Sequence, residues 1–230
     1  MKTISRQLAR LGSPSKARLL ARFFKTGPGE YAEGDRFWGL TVPQVRAIAR
    51  EHAALSPTDT LRLLHSPMHE ERLLALLILI TKFEEGDAGE REKIYKLYLA
   101  NTRFINNWDL VDLSAPRIVG VFLRDKPKDI LFKLARAASL WERRIAIIST
   151  LAFITKGESR QALAISKILL ADKHDLIHKA VGWMLREVGK RCSQEEEEVF
   201  LQQHYKNMPR TMLRYAIERF PPAQRRAYLR

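Results

Sequence analysis

Ile80-Thr81-Lys82 closes one apolar stretch of this chain, and Ile154-Thr155-Lys156 closes another 74 residues later. Each tripeptide ends a run in which apolar residues return at i, i+3, i+4 and i+7, the spacing that puts them on one face of an α-helix. An offset of 74 is twice 37, and self-similarity at a period in the thirties or forties is the mark of helix pairs stacked one after another. Working outward from these two stretches, helical spacing recurs almost everywhere, and no segment alternates apolar and polar residues as a half-buried strand requires.

The pattern predicts helices over 3–11, 15–26, 42–54, 57–65, 69–84, 90–102, 106–124, 127–138, 140–156, 159–171, 174–191, 194–207, 210–219 and 222–229. Start signals back several of these: Thr41 with Gln44 and Ser193 with Glu196 fit the capping box, and Ser56 precedes Pro57 as cap and first helical residue. Pro116 is expected to bend the helix that contains it. The period lies between the tetratricopeptide and HEAT classes, and the tetratricopeptide signature is missing. The expected fold is therefore all-α: a HEAT-like helical-repeat solenoid with a concave basic groove. One domain, 1–230, is expected, with 1–40 holding an amino-terminal helical pair and a long loop and 41–230 holding the repeats. The irregular stretch Gly27 to Leu40, with Gly27-Pro28-Gly29 and Gly34, reads as a functional loop or hinge, because loops of this length are uncommon in compact helical domains.

Composition narrows the class. The 230 residues are 46% hydrophobic, ordinary for a globular protein, so disorder is not indicated. The longest apolar run, Leu73 to Ile80, is far too short to span a bilayer. Arg6 comes too early for a signal-peptide core, and the single Cys192 has no internal disulfide partner, which makes a reducing cytoplasm the expected home. The formal net charge is +14, and it is concentrated at the ends. Residues 1–50 carry ten basic and three acidic groups, residues 209–230 six and one, and the middle is nearly neutral. Such ends suit a polyanion, and nucleic acid or an anionic membrane surface would satisfy them equally well, while the overall basicity favours nucleic acid.

Against that positive background, Asp112 on the apolar stripe of Trp108, Val111, Ala115 and Val119 asks for a cationic partner or a task. Arg144 follows Trp108 by 36 residues and Trp183 follows Arg144 by 39, so residues from three successive helix pairs are expected on one face. Trp183 is the clearest member: Ile177, Val181, Met184, Leu185 and Val188 form the buried stripe of its helix, while Trp183 shares the other face with Lys179, Arg186, Glu187 and Lys190. It is either a binding surface or an aromatic packed on a neighbouring repeat. Trp108 fits core packing equally well. Arg144, among Leu140, Trp141, Ile147, Ile148 and Leu151, is either a phosphate clamp or half of an internal ion pair, with Asp112 as a possible partner. Asp109 reads as a surface or salt-bridging residue. His65/His69 and His174/His178 have metal-pair spacing but lack the internal Glu or any Cys cluster, so no metal is expected. Lys190 and Arg191 before Cys192 could lower its pKa, although a bystander thiol is the simpler reading. Glu195 to Glu198 reads as a solvated helix start.

Trp108-Asp109-Leu110-Val111-Asp112, Trp141-Glu142-Arg143-Arg144 and Ala180-Val181-Gly182-Trp183-Met184-Leu185-Arg186-Glu187 resemble the AlkD-type bacterial DNA alkylation repair family. Gly39-Leu40-Thr41-Val42-Pro43 is similar too, whereas Phe23 stands where relatives can have tyrosine. The resemblance implies a glycosylase acting on double-stranded DNA that contains N3- or N7-alkylated purines; no cofactor is expected, the bacterial cytoplasm is the expected compartment, and a monomer is the default expectation. It implies Asp112, Trp108 and Trp183 as catalytic residues, with Arg144 anchoring phosphate; Arg143, Lys179, Arg186, Lys190 and Thr41 are further expected DNA-binding residues. No membrane and no metal enter this picture. Chemically it is coherent: an alkylated purine is already cationic and leaves without a general acid, so one carboxylate facing the oxocarbenium-like sugar suffices. The rival expectations are a non-catalytic protein binding duplex or branched DNA, and a protein-interaction scaffold.

Overall fold

A computed structural model describes residues 2–230; of the expected domain 1–230, Met1 lies outside the described residues. The protein is all-helical, of the helical-repeat kind. Among the described residues there is no strand, and the one isolated backbone bridge joins Arg36 to Met68. None of the helices is long and apolar enough to cross a membrane.

The chain forms two compact units that divide between Leu110 and Val111. The first contains α1 (Lys2–Leu11), α2 (Pro14–Phe23), α3 (Val42–Glu51), α4 (Pro57–Leu64), α5 (His69–Glu85) and α6 (Ala88–Ala100). Its core is α5, packed by α3, α4 and α6. Every residue from His69 to Ile80 is buried, which is why Leu73 to Ile80 is apolar on all sides. α7 (Trp108–Ser114) begins at the end of this unit and leads into the second.

The second unit contains α8 (Asp129–Leu134), α9 (Leu140–Ser149), α10 (Leu151–Ile154), α11 (Arg160–Leu169), α12 (Asp175–Arg191), α13 (Gln194–His204), α14 (Arg210–Ala216) and α15 (Pro222–Leu229). Here α12 is central, with α9, α11, α13 and α14 against it. Ile177, Val181, Met184, Leu185 and Val188 are its buried stripe. Gly182 marks the closest approach: a Cβ there would run into the Met212 carbonyl and the Tyr215 Cβ of α14.

The elements lie within a few residues of the predicted ones, and the departures have local causes. The predicted helix 106–124 is instead α7, followed by a widened π-type turn over Pro116–Gly120. Pro116 has no N–H for the Asp112 carbonyl, and the register resumes with Gly120 N–H bonding Ala115 O at 2.9 Å. The predicted helix 140–156 is divided at Thr150, whose amide and hydroxyl both turn back to Ile147 O. Residues 27–40 are irregular as expected, and their second half is tied to α5. Glu70 accepts the amides of Trp38, Gly39 and Leu40 at 2.8–3.1 Å, and Asp35 is held by Arg72 and His69.

Two charged residues also sit deeper than expected. Glu187 is buried and takes Arg191 at 2.5 Å. Glu197 is 3% exposed and its Oε1 has no partner, so the run Glu195 to Glu198 is not uniformly solvated. Burial, with the Glu198 charge, pushes the Glu197 carboxyl up to about 8.

Candidate nucleic-acid site

Asp112 and Arg144 meet. Ser139 caps α9 through the Glu142 amide, and Arg144 one turn in is aimed at α7. Its Nε donates to Asp112 Oδ1 at 2.8 Å and its Nη2 to Asp112 Oδ2 at 2.7 Å, the two parallel bonds a guanidinium makes to a carboxylate. Nη1 donates to the carbonyl of Leu176 in the first turn of α12. Of the two expected roles for Arg144, the internal ion pair is the one present. The pair is not symmetric: the Asp112 side chain is 18% exposed and the Arg144 side chain 6%, so the negative end is the more accessible.

Trp183 lies seven residues after Leu176, on the same side of α12, and is half-buried. Its charged neighbours differ in what they have free. Lys190 is exposed, Lys179 pairs with Asp175 at 2.7 Å, and Arg186 pairs with Glu218. Arg143 bonds Asp172 at 2.6 Å and the Ala137 and Ala138 carbonyls, and its side chain is 19% exposed. Thr41 is exposed at the start of α3, where its amide and hydroxyl both donate to Gln44.

Trp108 lies in an aromatic cluster of the first unit. Its indole stacks on Phe24 at 5.3 Å and meets the edge of Phe23 at 5.9 Å. Phe24, Phe37 and His69 pack mutually, with centroids 5.3 Å apart for Phe24 and Phe37, 4.9 Å for Phe24 and His69 and 4.7 Å for Phe37 and His69. These rings, with Leu19, Leu20, Leu40 and Val42, line an apolar cleft of ≈ 500 Å³. Phe23 is 63% exposed at its rim.

Beneath the rings is a charge cluster that sequence reading missed. His69 Nε2 lies 2.8 Å from Asp109 and Nδ1 3.2 Å from Asp35, while Arg72 reaches Asp35 at 2.7 Å. Burial opposes charge on the imidazole, but the Asp109 charge and hydrogen bond, aided by Asp35, outweigh it and raise His69 to about 9. Asp35 is lowered: burial pushes it up, and its bonds to His69 and Arg72 prevail. The available signal was His69-Glu70-Glu71-Arg72, four charged residues directly preceding the apolar run, all of them buried. The other histidines have local duties. His65 bonds Asn101 at 2.7 Å, His174 caps α12, and His178 faces Asp172 O. Among the described residues no group of three or more His, Cys, Asp or Glu is arranged for a metal ion. Burial, with the Glu196 and Glu158 charges, pushes the Cys192 thiol up, opposite to what Lys190 and Arg191 suggested.

These features define a basic, helical-repeat protein that carries an arginine-paired, partly accessible carboxylate and exposed cations on its helices. The chain belongs to the DNA alkylation repair enzyme family, whose model matches residues 4–220, and membership makes DNA its partner. A solved structure of a predicted DNA alkylation repair enzyme from Enterococcus faecalis is similar in fold, with a TM-score of 0.69 at 15% identity over 92% of this chain and 97% of that one. No curated protein sequence matches at a significant level.

Proposed function

We propose that this protein is an alkylpurine DNA glycosylase of the AlkD type, hydrolysing the N-glycosidic bond of N3- or N7-alkylated purines in duplex DNA. The observation that carries the reading is the Asp112–Arg144 pair, with its carboxylate end the more accessible, one helical turn along α7 from Trp108. As the C1′–N bond breaks, the purine leaves with the bonding pair and becomes neutral, while the positive charge moves to the sugar. Asp112 stabilises that charge and orients the water that adds to C1′, and the proton of that water passes to bulk solvent. Arg144 holds the carboxylate in one orientation, so no reorganisation is needed when charge develops. Trp108 and Trp183 supply aromatic faces to the sugar and the cationic centre, each worth about 0.5–2 kcal/mol by analogy with cation–π pairs. Phosphate contact falls to side chains with free donors, Lys190 first, and to the basic ends of the chain.

The test is incubation with methylated duplex and chromatographic identification of released bases. The wild type is expected to release 7-methylguanine and 3-methyladenine. Asp112→Asn is expected to slow release roughly 100- to 1000-fold with duplex affinity little changed. The closed bidentate pairing also suits a purely structural Asp112, the second reading, in which the protein binds DNA without cleaving the glycosidic bond. Duplex binding without base release by the wild type would establish that reading instead.

A further inference from the structure

The placement of Trp108 has catalytic meaning only on the glycosylase reading. Both ring nitrogens of His69 face carboxylate oxygens, Asp35 from the 27–40 loop and Asp109 from α7. Only the doubly protonated ring satisfies both acceptors, because a neutral imidazole would set a nitrogen lone pair against a carboxylate. The ring is 3% exposed and packs against both Phe24 and Phe37, which also stack on each other, and Phe24 in turn stacks on Trp108. Asp109 is the residue after Trp108, and its other oxygen accepts the Leu110 amide at 2.8 Å. The Trp108 amide is capped by Asn107, whose side-chain amide also reaches Asp35 at 3.4 Å.

We propose that the Asp35–His69–Asp109 bridge is the positioning device for Trp108, an imidazolium that locks the first turn of α7 and the Phe24 ring together and so fixes the indole at the cleft. His69 is a positioning residue: it acts through Asp109 and Phe24. Two features mark the bridge as more than a generic buried ion pair. It grips Trp108 twice, along the backbone through Asp109 and across the ring face through Phe24. It also depends on one titratable group. The charged groups facing His69 are Asp35 from the loop, Asp109 from α7, and Arg72 from its own helix, which opposes its charge. Glu70 beside it is occupied by the Trp38, Gly39 and Leu40 amides. Deprotonating His69 leaves Asp109 without its cationic partner, and the turn that carries Trp108 loosens.

The protein labelled with 5-fluorotryptophan tests this by ¹⁹F NMR, with the Trp108 resonance assigned by its disappearance in Trp108→Phe. The wild-type Trp108 resonance is expected to shift or broaden with a midpoint near pH 9, and His69→Gln is expected to abolish the titration. Single-turnover base release should fall over the same pH range in the wild type. In His69→Gln it should be about tenfold slower at neutral pH, with duplex affinity retained, one decade being about 1.4 kcal/mol of barrier. A Trp108 resonance indifferent to pH between 7 and 10 overturns the proposal, and so does an unaltered release rate in folded His69→Gln. If the variant does not fold, the wild-type titration decides alone. If the wild type releases no base, the glycosylase reading fails, and the ¹⁹F titration still decides whether the bridge holds Trp108.

Discussion

Arg144 makes three donations within the protein, two to Asp112 and one to the Leu176 carbonyl, and this decides what its removal does. Breaking a pair of this kind leaves a poorly solvated charge behind, a cost of about 3–5 kcal/mol for fully buried pairs. The Asp112 side chain is 18% exposed, so Arg144→Ala is expected to lose about 3 kcal/mol of stability in urea denaturation, toward the lower end. Base release should slow as well, because Asp112 loses its orientation. Arg144→Lys keeps the charge without the fork of parallel bonds and should fall between the two on both measurements. Should Arg144→Ala instead remove a full phosphate's worth of salt dependence while leaving stability intact, the guanidinium belongs to DNA and not to Asp112.

Among the elements, α13 carries the clearest misfit, and it yields a pH prediction with a definite sign. Glu197 is raised in the folded protein to about 8 from an ordinary 4.5, so the folded state holds a proton that the unfolded chain has released. Its contribution is present below about pH 4.5 and is lost as pH rises through 8. His69 acts in the same direction over a later window: its contribution is fully present below 6.5 and is lost as pH rises through about 9. Glu197→Gln should therefore match the wild type at acid pH and melt at higher temperature at about pH 9, by differential scanning calorimetry; coincident melting curves across the range would contradict this. These two groups also show where sequence reading stops. Periodicity located the helices because apolar spacing is local, and Pro116 announced the break that follows α7. Spacing treats every charge as surface, however, so the buried His69, Glu70, Glu71, Arg72 and Glu197 were invisible to it. Asp35 and Asp109 reach His69 from 34 and 40 residues away, and no local pattern encodes those meetings. The Asp112–Arg144 pair was legible as one of two alternatives, and only geometry separates them.

At the scale of the whole molecule the governing quantity is charge. With +14 concentrated at its ends, the protein attracts a polyanion before any side chain touches it, and release of condensed counterions makes that attraction salt-dependent. Arg143 and Arg144 both spend guanidinium donors within the protein, whereas other cations are left exposed. α2 is the best placed of these: none of its residues is buried, it holds no acidic residue, and Lys16, Arg18 and Arg22 are exposed along it. Lys16 also lines the aromatic cleft that contains Trp108, so a backbone phosphate bound on α2 would bring duplex to that cleft. Replacing Lys16, Arg18 and Arg22 by Gln removes charge from a solvated surface, where stability should change little. The logarithm of the duplex association constant should then depend less steeply on the logarithm of salt concentration, by roughly 0.9 for each phosphate that is no longer neutralised. Fluorescence anisotropy with unmodified duplex across a salt series measures this directly. A slope equal to that of the wild type would mean that α2 stands clear of DNA and that the amino-terminal charge acts only at long range.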